Sequence, residues 1–437
     1  MKRILFISFI LLAFWRCNDD DVFSFGSLMS QENIHFKAQP GGAMMYYKLP
    51  DESDIFGINV RYKDARNIEV LKTSDYGGDS LFLDGFNEAC QGITARVTLV
   101  DNKGNESTAM EVTFNTEESA PYAFIDRAKV LPSWGGFQVL YESPGQASGM
   151  AHIFYLGTNP LTQEPDTILV KSFPILKGGD TLIFPLAQMR EKNTIIVRTE
   201  DFRGYRVGQK IWPDIETYIS EKLPLTMDNF DAGGKSLERD DLKVGLKYLF
   251  DGDLKGNQRM VTGKSKEMFT FLAGPDAVGK PMFVDLEEER VPASIRIYGI
   301  LNMKLAKPAG NPWNQFPEAR MPCDVIVYGG NDKNGNTWDR LGTFVQSPTL
   351  TPLDRWNYPC DQNNSGGSVN DLETLEAAEP CYMEVSFFAS PARYRYLKIV
   401  VNDTFELGGG YASLQGDFGN HENYVAMHEL EVYVKKD

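Results

Sequence analysis

Three groups of residues have the types and spacing to do chemistry. Asp251 and Asp253 sit in an Asp-Gly-Asp turn (YLFDGD, 248–253), and Glu429 lies far downstream in MHEL (427–430). Hard carboxylate oxygens suit calcium, and donors from both ends of one unit would fasten it closed. The plainer alternative is an ordinary Asp-Gly turn with Glu429 exposed on an edge strand. Aromatic rings in polar loops form the second group. KPAGNPWNQFPEAR (307–320) sets Trp313 between Asn311 and Asn314, RWNYPC (355–360) holds Arg355, Trp356 and Tyr358, and GGGYASLQGDFGNHENY (408–424) offers Tyr411, Asn420 and His421. Rings of this kind stack on the C–H faces of sugars while neighbouring amides and charges bind hydroxyls; their rival role is packing beneath the loops. The third group is Cys360 and Cys381, each preceded by proline, flanking a stretch with five acidic and no basic residues. A disulfide at its base would contribute about 3 kcal/mol in an oxidising compartment, against two separate thiols. Cys90 and Cys323 read as buried, inert thiols.

Catalysis finds little support. The four histidines, His35, His152, His421 and His428, are scattered, and there is no GxSxG, HExxH or phosphate loop. A glycosidase needs only two carboxylates about 5–10 Å apart, which 60 acidic residues do not forbid. Such enzymes generally need a large barrel, propeller or toroid, and small sandwiches leave no span for one. The chain has 44 Lys and Arg against 60 Asp and Glu, a formal −16 without a basic stripe. That argues against nucleic acid or an anionic membrane surface as partner. A hydrophobic share of 42% with 24% charged residues is ordinary for soluble globular protein.

The elements that must position these residues are strands. At 437 residues the chain calls for several domains. MFVDL (282–286), IRIYG (295–299), CDVIVYGGND (323–332), WDRLGTF (338–344), RYRYLKIVV (393–401) and MHELEVYV (427–434) are short alternating or aromatic-rich runs closed by turn residues. Upstream lies an internal repeat. Gly41-Gly42 precedes Tyr47 and Pro50 at the spacing by which Gly135-Gly136 precedes Tyr141 and Pro144, and Asp101 with Gly104 answers Asp201 with Gly204. An Asp-x-x-Gly between alternating runs signals a hairpin. The repeat predicts two sandwiches, over 31–118 and 119–218, then a linker at 219–229 and a third β unit at 230–437. DIETYISEK (214–222) is the best helical stretch and reads as a connector. Trp338 reads as structural.

The order of pieces in 230–437 resembles the discoidin domain, or coagulation-factor C domain, a β-sandwich (jelly roll) that often binds carbohydrate. That resemblance implies a structural calcium ion held by Asp251, Asp253 and Glu429 with backbone carbonyls, and a ligand site built from loops at one end. The two repeated units resemble fibronectin type III domains, immunoglobulin-like sandwiches. Lys2 and Arg3, the apolar run ILFISFILLAF (4–14), Cys17 and the acidic Asn18-Asp19-Asp20-Asp21 resemble the signal of a surface-exported Bacteroidota lipoprotein. Trp15 and Arg16 stand where that signal usually has small residues. The resemblance makes 1–17 a signal, Cys17 the lipidated residue, 18–30 an acidic tether and the outer membrane the location, reached by lipid anchor alone. The complete all-β arrangement resembles lipoproteins found beside SusC/SusD-type glycan importers. It implies a non-catalytic protein that captures polysaccharide or oligosaccharide, with an adhesin or scaffold binding a protein partner as the alternative.

Overall fold

In GMAHIFYLGT (149–158) Gly149, Ala151, Ile153, Tyr155 and Gly157 are buried while the residues between them are not. This two-residue period belongs to a sheet with one face on a core. The computed structural model describes residues 29–437 apart from 52–53, 143–148, 189, 202, 264–266, 304–319, 361–368 and 406–423. The signal, Cys17 and most of the tether therefore lie outside the described residues. Within them the chain is all-β and runs through three sandwiches.

The first sandwich comprises β1 (Ile34–Gln39), β2 (Gly42–Tyr47), β3 (Ile55–Lys63), β4 (Glu69–Asp75), β5 (Ser80–Asp84), β6 (Ile93–Asp101) and β7 (Met110–Phe114). A β1-β2-β5 sheet faces a β4-β3-β6-β7 sheet. After helix α1 (Ala120–Arg127), the second sandwich repeats the plan with β8 (Lys129–Ser133), β9 (Gly136–Tyr141), β10 (Gly149–Thr158), β11 (Pro165–Pro174), β12 (Asp180–Pro185), β13 (Lys192–Asp201) and β14 (Arg206–Glu216). Its sheets are β8-β9-β12 and β11-β10-β13-β14.

The repeat noted in the sequence has a physical cause. Gly41 and Gly135 turn the first hairpin of each sandwich at φ +78° and +65°, where a side chain is strained. A Cβ on Gly42 or Gly136 would stand 2.2 or 2.0 Å from the carbonyl oxygen of Leu83 or Phe184 on the facing strand. Tyr47 and Tyr141 then enter the two cores. Asp101 accepts the amides of Lys103 and Asn105, and Asp201 those of Arg203 and Tyr205, so each Asp-x-x-Gly is the same carboxylate-capped turn.

The third sandwich contains β15 (Ser220–Lys222), β16 (Phe230–Asp231), β17 (Phe271–Ala273), β18 (Pro281–Arg290), β19 (Pro292–Gly299), β20 (Pro322–Gly330), β21 (Asp339–Val345), β22 (Cys381–Ser386), β23 (Tyr394–Thr404), β24 (Val425–Met427) and β25 (Glu429–Lys435). A β16-β18-β23-β20-β21 sheet packs on β15-β25-β19-β22, with a β17-β24 ladder beside them. Val284, Ile295, Val325, Ile399 and Val432 meet in the core between them.

Two expectations do not hold. Residues 214–222 are not a helix: they complete β14 and form β15, which pairs with β25 from Ser220↔Lys435 to Lys222↔Tyr433. Backbone bonds to a waiting sheet edge outweigh helix propensity, which is a weak prior. The stretch 219–229 is accordingly no free linker, and the third sandwich begins at Ser220. The helix that does connect sandwiches is α1, started by Ser119, whose hydroxyl caps the Tyr122 amide, and held by Phe124 in the second core.

The sandwiches are fastened to one another. Arg203 Nη1 lies 3.0 Å from Asp64 Oδ2, a side chain only 1% exposed, and the Arg66 guanidinium sits 4.1 Å from the Tyr205 ring centroid. At the second joint Trp134 Nε1–H donates to the Phe387 carbonyl at 2.9 Å. Lys435 Nζ there lies 2.5 Å from Glu216 Oε1 and 4.7 Å over the Tyr218 ring. Arg203→Ala should leave all three sandwiches folded, cost about 1 kcal/mol and broaden the distribution of interatomic distances measured by small-angle scattering. A distribution identical to the unsubstituted chain would contradict this account of the joint.

Candidate functional site

Antiparallel pairing decides where the long loops of the third sandwich emerge. Gly299 at the end of β19 opposes Cys381 at the start of β22; Pro322 opposes Thr404, and Asp324 opposes Val345. The segments 300–321, 346–380 and 405–424 thus all join strand ends at one end of the sandwich, where the discoidin resemblance puts the loops that build a ligand site. Asn311, Trp313, Asn314 and Tyr411 themselves fall outside the described residues.

The base of these loops is well packed. Ile300, Met321, Cys360, Leu375 and Phe405 belong to a separate apolar cluster there. Backbone bonds knit the segments together: Asn302 N–H donates to the Pro359 carbonyl and Val369 N–H to the Asn302 carbonyl. Lys255 Nζ donates to the carbonyls of Leu375 and Glu376 at 3.3 and 2.8 Å, a pin that no sequence pattern announced.

Trp356 is half-buried and packs against both this cluster and the main core. Its Nε1–H donates to the Pro322 carbonyl at 2.8 Å, and its backbone amide to Gln346 Oε1 at 3.0 Å. It braces the loop bases, the packing role that rivals sugar contact. Tyr358 is half-buried two residues on, and the Arg355 guanidinium stacks 4.8 Å over Phe405.

The expected Cys360–Cys381 disulfide is not formed. Cys381 keeps its thiol, which donates to the Trp356 carbonyl at 3.3 Å, while the Cys360 sulfur packs over Gly299. Both sulfurs fill the apolar cluster, and the intervening segment is closed by its backbone bonds instead. Cys323 is buried as expected, and burial pushes its thiol up to about 12.

The acidic group divides in two. Gly252 turns the chain at φ +82°, and the Asp253 carboxylate gathers the amides that lead into α2 (Asn257–Thr262), whose N-cap is Gly256. Its Oδ1 accepts the amides of Lys255, Gly256 and Asn257 at 3.3, 2.7 and 2.8 Å, and its Oδ2 that of Gln258 at 2.8 Å. Burial opposes its ionisation, but the nearby His428 imidazole and these amides outweigh burial and hold its carboxyl below the usual range. His428 is fully buried, with Nε2 3.7 Å from Asp253 Oδ1. The motif that contains Glu429 contained this residue too, and its part in the acidic cluster went unread.

Asp251 accepts the Asp253 amide and Gln258 Nε2 at 2.9 and 2.6 Å. Glu429 is buried; Oε1 accepts the Gly252 amide at 3.2 Å, and Oε2 has no hydrogen-bond partner among the described residues. Burial, then the neighbouring Asp251 charge, raise its carboxyl to about 8. A buried orphan oxygen beside a second carboxylate is a fit for a hard cation completed by carbonyls. Asp253 already accepts four backbone amides, three of them on Oδ1, which leaves it less to offer a cation than Glu429. Among the described residues no group of three or more His, Cys, Asp or Glu side chains is arranged to hold a metal.

One further constellation is structural. His152 Nδ1 is 2.7 Å from Ser172 Oγ and Nε2 is 2.5 Å from Glu200 Oε1, off the hydrogen-bonding direction. The three residues sit on neighbouring strands of an outer sheet face, where cross-strand polar pairs are ordinary.

Residues 29–116 match the model of a domain of unknown function, DUF4959. No curated protein matches the chain. Among solved structures, a SusE-like protein is similar at 16% identity, over 72% of this chain and 99% of that one, with a TM-score of 0.40. A CBM32 module from a family 31 glycoside hydrolase of Clostridium perfringens is similar at 13% identity, over 48% and 96%, with a TM-score of 0.23. A two-domain fibronectin type III segment of chicken tenascin is similar at 11% identity, over 43% and 98%, with a TM-score of 0.18.

The Glu429 carboxyl ties stability to pH. Its folded value, about 8, lies above the ordinary carboxylate value of about 4.3. Stability linked to it is complete below the ordinary value and is lost as pH rises through the folded one. Metal-free protein should therefore melt a few degrees lower at pH 8.5 than at pH 5.5, and Glu429→Gln should flatten the profile. An unchanged slope in that variant would contradict the assignment. Asp253 is depressed, so its contribution disappears only in acid, below this window.

Proposed function

We propose that this protein is a non-catalytic glycan-binding lipoprotein of the cell surface, which captures polysaccharide for an outer-membrane uptake system. The observation that carries the reading is that the strand ends bounding three long segments, whose sequences hold tryptophan and tyrosine among asparagines, lie at the end of the third sandwich away from its joint. Glu429 marks the loop end of β25, and Lys435, at the other end, touches the second sandwich. Seven residues of strand hold the two about 20 Å apart. With Cys17 lipidated, the first two sandwiches act as spacers that carry the loop end away from the membrane. Trp313, with Asn311 and Asn314 beside it, supplies the stacking platform in this reading, together with Tyr411 and Tyr358. Trp356 holds the loop bases in place.

A calcium ion completes the reading as a structural element. Asp251 and Glu429 would hold it with backbone carbonyls, neutralising the buried carboxylate and fastening the last strand to the Asp-Gly-Asp turn. Each glycan contact is weak; repetition along a polymer and proximity to a SusC/SusD-type importer raise the effective affinity.

The test is affinity electrophoresis of the full chain, without its signal, through gels containing a panel of plant and microbial polysaccharides. At least one should retard it, and Trp313→Ala should weaken that retardation at least tenfold. No retardation by any polysaccharide would transfer the loop end to a protein partner, as in an adhesin or scaffold. Calcium should raise the melting temperature of the unsubstituted chain and not that of Glu429→Gln. Equal responses would remove the ion from this site.

A further inference from the structure

The second sandwich has a concavity that the proposed function does not use. It is a cleft of about 1040 Å³, against about 380 Å³ for the hollow at the β20–β21 turn. It lies where β14, an edge strand of one sheet, passes close to β8, an edge strand of the other. The end of α1 and the Gly178-Gly179 turn close its sides.

Its lining combines an apolar platform with charged groups that make no ion pair among the described residues. Trp212 pairs with Ile195 in register and packs on the core, yet its indole also lines the cleft, with Lys210 Nζ 5.1 Å from the ring centroid. Leu131, 41% exposed, extends the apolar surface. Lys129, Lys210 and Asp180 line the same space, and among the described residues none of the three makes an ion pair. Asp180 Oδ1 accepts only the adjacent Thr181 amide, at 2.7 Å. Opposite charges that share a cleft without pairing leave donors and acceptors available to a ligand that carries both. Vicinal hydroxyls are such groups, and the C–H faces of pyranose rings suit Trp212 and Leu131.

We infer that this cleft is a second carbohydrate-binding site, taking a neutral oligosaccharide of several sugar units. Neutrality follows from the lining, where Asp126, Glu142 and Asp180 balance Arg127, Lys129 and Lys210. The volume, at the upper end of the usual ligand pockets of about 300–1,000 Å³, calls for more than one ring. The inference rests on the proposed glycan-binding function and extends it, since two sites on one chain grip a polymer more firmly than either alone.

Hydrogen–deuterium exchange of the full chain, without its signal, tests it against hexasaccharides of glucose, mannose and xylose. At least one should slow exchange at 126–131, 178–181 and 210–212, and this protection should persist in Trp313→Ala. Lys210→Ala and Asp180→Asn, both at exposed positions, should raise the concentration needed for it at least tenfold while leaving the melting temperature unchanged. Protection confined to the loop end of the third sandwich would overturn the second site and leave the proposed function standing. Protection at neither place would overturn both. Protection of the cleft that ignores both substitutions would also overturn the assignment.

Discussion

Strand β25 is the element on which the rest of the molecule depends. It pairs with β19 on one side and β15 on the other, so it joins the segment that enters the third sandwich to its interior. Its first residue, Glu429, receives the Gly252 amide at the loop end, and its last, Lys435, meets Glu216 and Tyr218 at the joint. Midway, buried Glu431 accepts hydrogen bonds from Tyr298, Tyr433 and Lys222 at 2.5, 2.8 and 2.6 Å. Burial works against that carboxylate, but these three partners outweigh it and keep its pKa low. A buried charge that is fully hydrogen-bonded fixes register well, because a slip of one residue would orphan it. Together with the Trp134–Phe387 contact beside it, this strand orients the loop end relative to the second sandwich.

Glu431 and Glu429, two residues apart on the same face, meet opposite fates. Glu431 has its partners within the protein, whereas Glu429 keeps an unpaired oxygen beside Asp251. The fold completes the first unaided and, among the described residues, leaves the second with an acceptor it does not fill. Site and scaffold are therefore coupled through the same strand, from a group whose needs are met to one whose needs are not.

Much of the fold was legible because sandwich strands leave local marks. The doubled glycines were readable because their two roles, positive φ at the first and close approach to a carbonyl of the paired strand at the second, both favour a residue without a side chain. The Asp-x-x-Gly turns were readable because a short carboxylate captures its own amides. Residues 214–222 misled because their apolar spacing suits a helix while a sheet edge more than 200 residues away decides their state. Cys360 and Cys381 misled for a related reason: an acidic insertion between prolines suggests a staple, but backbone bonds and apolar packing already close it. Trp356 could be found in the sequence but not assigned, since the bond from its indole to Pro322 depends on tertiary position. Loop residues obey no period, so Trp313 and Tyr411 could be proposed only from chemistry. The cleft beside Trp212 left no mark at all, being made by two edge strands from different sheets.

We propose that the chain binds glycan through the loop end of its third sandwich. Titration calorimetry of the full chain, with calcium present, against fragments of a panel of polysaccharides measures this most directly. A saturable heat with at least one glycan is expected; replacing Trp313 and Tyr411 by alanine, in a protein of unchanged melting temperature, should remove the loop-end component and leave at most that of the cleft beside Trp212. Folded protein that gives no heat with any glycan, or the same heat after both replacements, would contradict it.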